Sequence, residues 1–247
     1  MSVPYKRAPI VEAVLECSVQ TGAYSTNTAE RLRQAFATKY SGKLEVIRAV
    51  VGVQVELRED GHQTTRQFSG RIRMATPDGK CLVQFGADIL ALNALPPYDR
   101  FDSYLPAFRN LHEAYLREAG AATAMSYGQR YINRISLPSV EARPTDYFSF
   151  YSDRLVAPHS ANPPFALNFE AADLSPGSLN VQLLFEGIFD EKPRYMLDLY
   201  AQATSPELSM EWVALQAWHR SAHDQLFGAF EASLTDECKR MLGKGEL

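Results

Sequence analysis

Cysteine is scarce: Cys17, Cys81 and Cys238 are the three in 247 residues, and no two form a CxxC pair. Their odd number and wide spacing exclude a disulfide framework and a zinc knuckle as organising devices. Long hydrophobic runs are also missing, since no stretch approaches the roughly 20 apolar residues that span a bilayer. The start, MSVPYKRAPIVEAVLECSV, sets Glu12 and Glu16 inside its apolar stretch, which a signal peptide does not. There is no GxSxG, no GxxxxGK followed by Ser or Thr, and no GxGxxG after a strand. Carboxylates are plentiful, but none form a pair of defined separation. No catalytic residue is assigned, no cofactor is expected, and the reading leans away from an enzyme. What is there, 46% apolar and 11% aromatic residues with a net charge of -4, describes a folded globular chain with the cytoplasm as its natural compartment.

The charge is uneven. Residues 1–138 hold 17 Lys+Arg and 13 Asp+Glu, whereas 139–247 hold 8 and 16. Thirteen of the 17 basic residues are arginine, whose planar fork suits carboxylate or phosphate. The split predicts either head-to-tail self-association or an anionic ligand on the first half. An isoelectric point of about 5.8 disfavours a nucleic-acid partner.

Periodicity then gives an order of elements. Residues 9–20 read as a strand, and a helix over 29–40 follows the capping run Ser25 to Thr28. Residues 45–59, 64–75 and 80–93 read as three strands, with Pro77-Asp78-Gly79 a hairpin turn. A long amphipathic helix covers 98–119. The order then recurs: a strand over 125–137, a short helix over 145–151, and strands over 165–172, 179–187 and 194–203. A terminal helical region runs from a Ser205 cap with Pro206 at N1 to about Leu242, with a break and a new cap at Thr235.

Both halves therefore read strand, helix, three strands, helix. This predicts an α+β fold in which two tandem units, 1–122 and 123–247, share one antiparallel sheet with helices on one face. Saddle-shaped folds of the TATA-binding-protein kind are built this way; the comparison concerns architecture and carries no DNA-binding function. The uncovered face would present Arg71, Arg73, Gln54 and Gln84 from the first unit, and Asn180, Gln182, Asp198, Tyr200 and Gln202 from the second. Such residues suit directional recognition of a partner.

Two clusters need separate readings. His219 and His223 stand at i and i+4, but Arg220 occupies the position where zinc proteases need Glu, so no metal is expected. In Tyr131-Ile132-Asn133-Arg134, neighbouring residues face opposite ways. Asn133 is assigned to the open face and Arg134 to the core, where Glu12 would neutralise it.

Several segments together, PIVEA (9–13), DGKCLVQF (78–85), PPYDRFDSY (96–104), QRYINRI (129–135) and HDQLFGAFEASLTDE (223–237), resemble a sporadically distributed bacterial family of about this length without an assigned activity. The resemblance implies no catalytic residue or cofactor, and the patchy occurrence points toward defence or toxin-control loci. The resulting expectation is a non-enzymatic protein that binds a protein partner through the polar sheet face or the terminal helix, with homo-oligomerisation open and no membrane involved. An enzyme or ligand carrier, with a pocket between sheet and helices lined by Tyr98, Tyr104, Tyr115 and Tyr131, is the alternative; nucleic-acid binding is a second.

Overall fold

Alternation in the first strand sorts the molecule into two sides. In β1 (Ile10–Thr21), Ala13, Leu15, Cys17 and Val19 are buried in the main core, while Glu12, Glu16 and Ser18 lie on the other side. The computed structural model describes residues 5–21, 24–58, 61–98, 100–120, 122–152, 166–174, 177–205 and 208–244; for 46–70 and 172–174 it describes the backbone alone.

The fold is α+β, with one nine-stranded, wholly antiparallel sheet. After β1 come α1 (Thr26–Ala37), β2 (Leu44–Arg58), β3 (Gly61–Ala75), β4 (Cys81–Phe85), β5 (Ile89–Ala94) and α2 (Phe101–Ala119). The rest comprises β6 (Ala122–Ser136), β7 (Ala166–Leu174), β8 (Gly177–Phe189), β9 (Lys192–Thr204), α3 (Trp212–Ser233) and α4 (Asp236–Met241). The strand order is β2-β3-β4-β5-β1-β6-β9-β8-β7. Thus β1 and β6 pair at the centre, from Ile10 opposite Asn133 to Thr21 opposite Ala122. Each is flanked on its other side by a strand that directly precedes a long helix, β5 or β9.

Helix ends follow the expected chemistry in two places. Ser25 caps α1 by accepting from the Thr28 amide at 3.2 Å, and Thr235 caps α4 by accepting from the Cys238 amide at 3.3 Å. The buried stripe of α2, Phe101, Leu105, Phe108, Leu111, His112 and Tyr115, meets Leu215, Trp218, His219, Ala222, Leu226 and Phe230 of α3 in one core with the inward strand residues. No described element covers the opposite face of the sheet. No described helix is long and apolar enough to cross a membrane.

Three sequence expectations change. Residues 80–93 form two strands, because the Gly86 amide donates to the Ile89 carbonyl at 2.9 Å and reverses the chain there. The first half thus carries four strands after α1. Residues 145–151 form no helix beyond a 3₁₀ turn at Pro144–Asp146. Finally, α3 starts at Trp212, not at Ser205; Pro206 and Glu207 lie outside the described residues. The strap before it is anchored where the Tyr127 hydroxyl donates to the Ser209 carbonyl and Cys17 Sγ to Met210 Sδ at 3.9 Å.

The β2–β3 pairing extends much further than the rest of the sheet at that edge. It runs from Leu44 opposite Met74 to Arg58 opposite Gly61, whereas β3 meets β4 only through Ile72 to Ala75.

Candidate functional site: the uncovered sheet face

Register brings side chains from distant parts of the chain into rows on the uncovered face. One row crosses eight strands: Ser178, Gln202, Gly128, Glu16, Ala91, Gln84, Arg73 and Glu45 are successive partners. A second runs Asn180, Tyr200, Arg130 and Val14. Where they pass the β1–β6 junction, small residues make a hollow of about 350 Å³. Val14, Ile89 and Ala91 form its apolar floor with Ile132; Glu12, Glu16, Arg130, Tyr200, Gln84 and Asn93 form its walls. Ala91 is only 3% exposed although no described element covers this side, so the hollow's own walls shield it.

The walls are tied together. Glu12 accepts from Asn93 Nδ2 at 2.5 Å, and Glu16 accepts from the Tyr200 hydroxyl at 2.8 Å. Gly128 permits the second bond, because a Cβ there would collide with both the Glu16 carboxylate and the Tyr200 hydroxyl. Burial, then the charge and hydrogen bond of Glu16, raise the Tyr200 pKa and keep the phenol a donor. Arg130 is clamped on Asp198, with Nε to Oδ1 at 2.8 Å and a second contact from Nη2 to Oδ2. That hydrogen bonding raises the Arg130 pKa against the opposing effect of burial.

The arginines described on this face are engaged. Arg71 meets Asp88 at 2.5 Å, Arg73 lies between Glu45 (3.6 Å) and Gln84 (3.2 Å), and Arg134 and Arg194 share Glu186 at 3.1 and 2.9 Å. Arg71 and Arg73 are therefore not the free cations that the sequence expectation of an anionic ligand needs. By contrast, no described cation makes a close ion pair with Glu12 or Glu16, although the Arg130 charge acts on both. Asn180, Gln182 and Gln202 lie on the same face, beyond Tyr200; the Gln54 side chain lies outside the described residues.

Asn133 and Arg134 exchange the sides expected of them. Tyr131, Asn133 and Ile135 alternate together opposite Leu199, Leu197 and Tyr195, so Asn133 is buried beneath the helices and donates to the Leu197 carbonyl at 3.1 Å. Arg134 falls on the open face and pairs with Glu186, while Glu12 takes Asn93 as its partner. The expected Glu12–Arg134 bridge is not formed. The phase was visible in the sequence, since Tyr131 and Ile135 are core-forming residues and Asn133 lies midway between them.

Under the helices, β6 carries a chain of buried polar groups that the sequence did not reveal. His219 Nδ1 lies 3.0 Å from Gln129 Oε1, Gln129 Nε2 donates to the Tyr131 hydroxyl at 2.8 Å, and that hydroxyl lies 2.8 Å from His223 Nδ1. With Gln129 so oriented, His219 carries its proton on Nδ1. His223 stacks on Phe101 with ring centroids 4.4 Å apart, and His219 meets Phe108 edge-on. Burial pushes the His219 pKa down to about 3 and lowers that of His223, so both are neutral near pH 7. Among the described residues, no group of three or more His, Cys, Asp or Glu side chains is arranged to hold a metal.

On the helix side, the tyrosines expected to line a ligand pocket are closely packed. The cavity bounded by Tyr98, Tyr104, Tyr131, Phe101, Ala13 and Leu92 measures about 10 Å³, a single water's worth at most. Tyr115 is buried, with its hydroxyl on the Gly86 carbonyl at 2.7 Å. No family model matches the chain, and no curated protein matches it.

Proposed function

We propose that this protein is a cytoplasmic, non-enzymatic recognition protein that binds a protein partner through the uncovered sheet face. The observation that carries this reading is the face itself. It spans nine strands, lacks a covering element among the described residues, and centres on a hollow whose walls are preset by side-chain hydrogen bonds. Directional amides beside the hollow and a concave centre favour recognition over electrostatic adhesion. The same reading takes residues 1–122 and 123–247 as two halves of a tandem saddle, since β1 and β6 occupy equivalent places in the strand order. It also takes the likeness to the sporadic bacterial family as real, with a role in a defence or toxin-control locus.

Photo-crosslinking residues placed singly at Gln182, Gln202 and Val213 test the surface. Val213 is 78% exposed on α3 and serves as the helix-side probe. The expected result in cells is one shared adduct from Gln182 and Gln202 and none from Val213. An adduct from Val213 alone, or no adduct from the sheet face, overturns the reading.

A further inference from the structure

We infer that the central hollow is a seat for an alkylammonium group, a protonated amine carried on a methylene chain. This rests on the reading of the uncovered face as a recognition surface and names the chemistry recognised at its centre.

Charge accounting comes first. Asp198 neutralises Arg130, and the remaining arginines described on this face are ion-paired with Asp88, Glu45 or Glu186. Glu12 and Glu16 are held only by neutral donors, Asn93 and Tyr200. With Asp198, the hollow and its rim therefore set three carboxylates against one described cation, Arg130, whose charge acts on Glu12 and Glu16 as well, and the balance stays negative. Both glutamates are partly buried, so an arriving cation meets charges already stripped of some water and already oriented.

Shape narrows the class. Glu12 and Glu16 stand four residues apart on β1, about 13 Å between Cα atoms at roughly 3.3 Å per residue. Between them lies the apolar floor of Val14, Ile89 and Ala91. A bare metal ion makes no use of that floor. A chain of methylenes covers it and delivers an ammonium to a carboxylate at one end or at both, as amphipathic lysine side chains do elsewhere. At about 350 Å³, the hollow lies near the lower limit of small-ligand sites and is large enough for such a chain. An anionic ligand is disfavoured because the only described cation lining the hollow, Arg130, is already clamped on Asp198.

The source of the amine is a lysine side chain of a partner or a free polyamine. Isothermal titration of the full chain separates them, with spermidine in one arm and an acetylated, amidated Gly-Lys-Gly peptide in the other. Saturable binding of either supports the seat, and the tighter arm identifies the source. Glu12→Gln and Glu16→Gln keep an acceptor for Asn93 and Tyr200, so both variants are expected to fold, as circular dichroism will show. Each is expected to weaken the bound amine about tenfold, the loss of one charge-assisted hydrogen bond. Glu113→Gln changes net charge equally at an exposed position of α2 and is expected to leave binding unchanged. If either Glu12→Gln or Glu16→Gln misfolds, spermidine titration of the unaltered chain against sodium acetate still decides: acetate binding without amine binding overturns the seat. So does equal binding by all three variants. Failure here with intact crosslinks from Gln182 and Gln202 removes the amine and leaves the recognition face standing; failure of both removes the face.

Discussion

Single residues decide whether the hollow exists. Gly128 matters for the space above it, since its missing Cβ lets Glu16 and Tyr200 meet. Gly128→Ala is expected to separate them, lowering stability by about 1 kcal/mol, the net worth of one hydrogen bond. Urea denaturation reads that loss, and ultraviolet titration should show the Tyr200 phenol ionising at lower pH than in the parent. The steric role of this glycine was not legible in the sequence, because its neighbours across the sheet, Glu16 and Gln202, are over 70 residues away on either side. Asn180 and Gln182 were legible because strict alternation with Leu179, Val181 and Leu183 marked their side.

At the scale of elements, the packing of α3 on β6 is where pH enters. His219 is fully buried and neutral, with its pKa lowered from 6.5 to about 3 by burial. An unfolded histidine takes up its proton near pH 6.5, so the unfolded state binds more protons at acidic pH. Stability is complete above that pH and falls as pH drops toward 3, by up to about 1.4 kcal/mol per pH unit from this one group. Burial lowers the pKa of His112 and His223 in the same direction. The unfolding free energy from denaturant melts should fall toward acid across this window, and His219→Gln should flatten its dependence on pH. The β7–β8 hairpin offers a sharper test. A Cβ at Gly177 would run into the backbone carbonyl of Gln202, and backbone yields little. Gly177→Ala is expected to cost about 1–3 kcal/mol by overpacking, visible as a lower thermal midpoint. Strand alternation, the capping run that begins at Ser25 and the Thr235 cap were readable because they depend on near neighbours, although α1 starts at Thr26, three residues earlier than expected. The late start of α3 was not, since its strap is fixed by Tyr127 and Cys17 from distant strands.

For the whole molecule, one core joins residues of both halves, including β1, β6, α2 and α3. Calorimetry is expected to show a single cooperative transition, with residues 1–122 or 123–247 expressed alone failing to give a comparable melt. A separate, independently melting half would count against this. Overall α+β character and the antiparallel sheet followed from hairpin-linked strands and helices at intervals. The pairing partners across the sheet did not, because register between remote strands leaves no local trace.

The central pairing also constrains synthesis. Ile10 finds its neighbour only at Asn133, so a nascent chain leaving the ribosome carries the lip of its first strand bare until more than a hundred further residues have followed. Premature termination within that interval would release a fragment with a strand ready to zip onto foreign chains. The seam that unites the finished protein is thus also the one most exposed while it is being made.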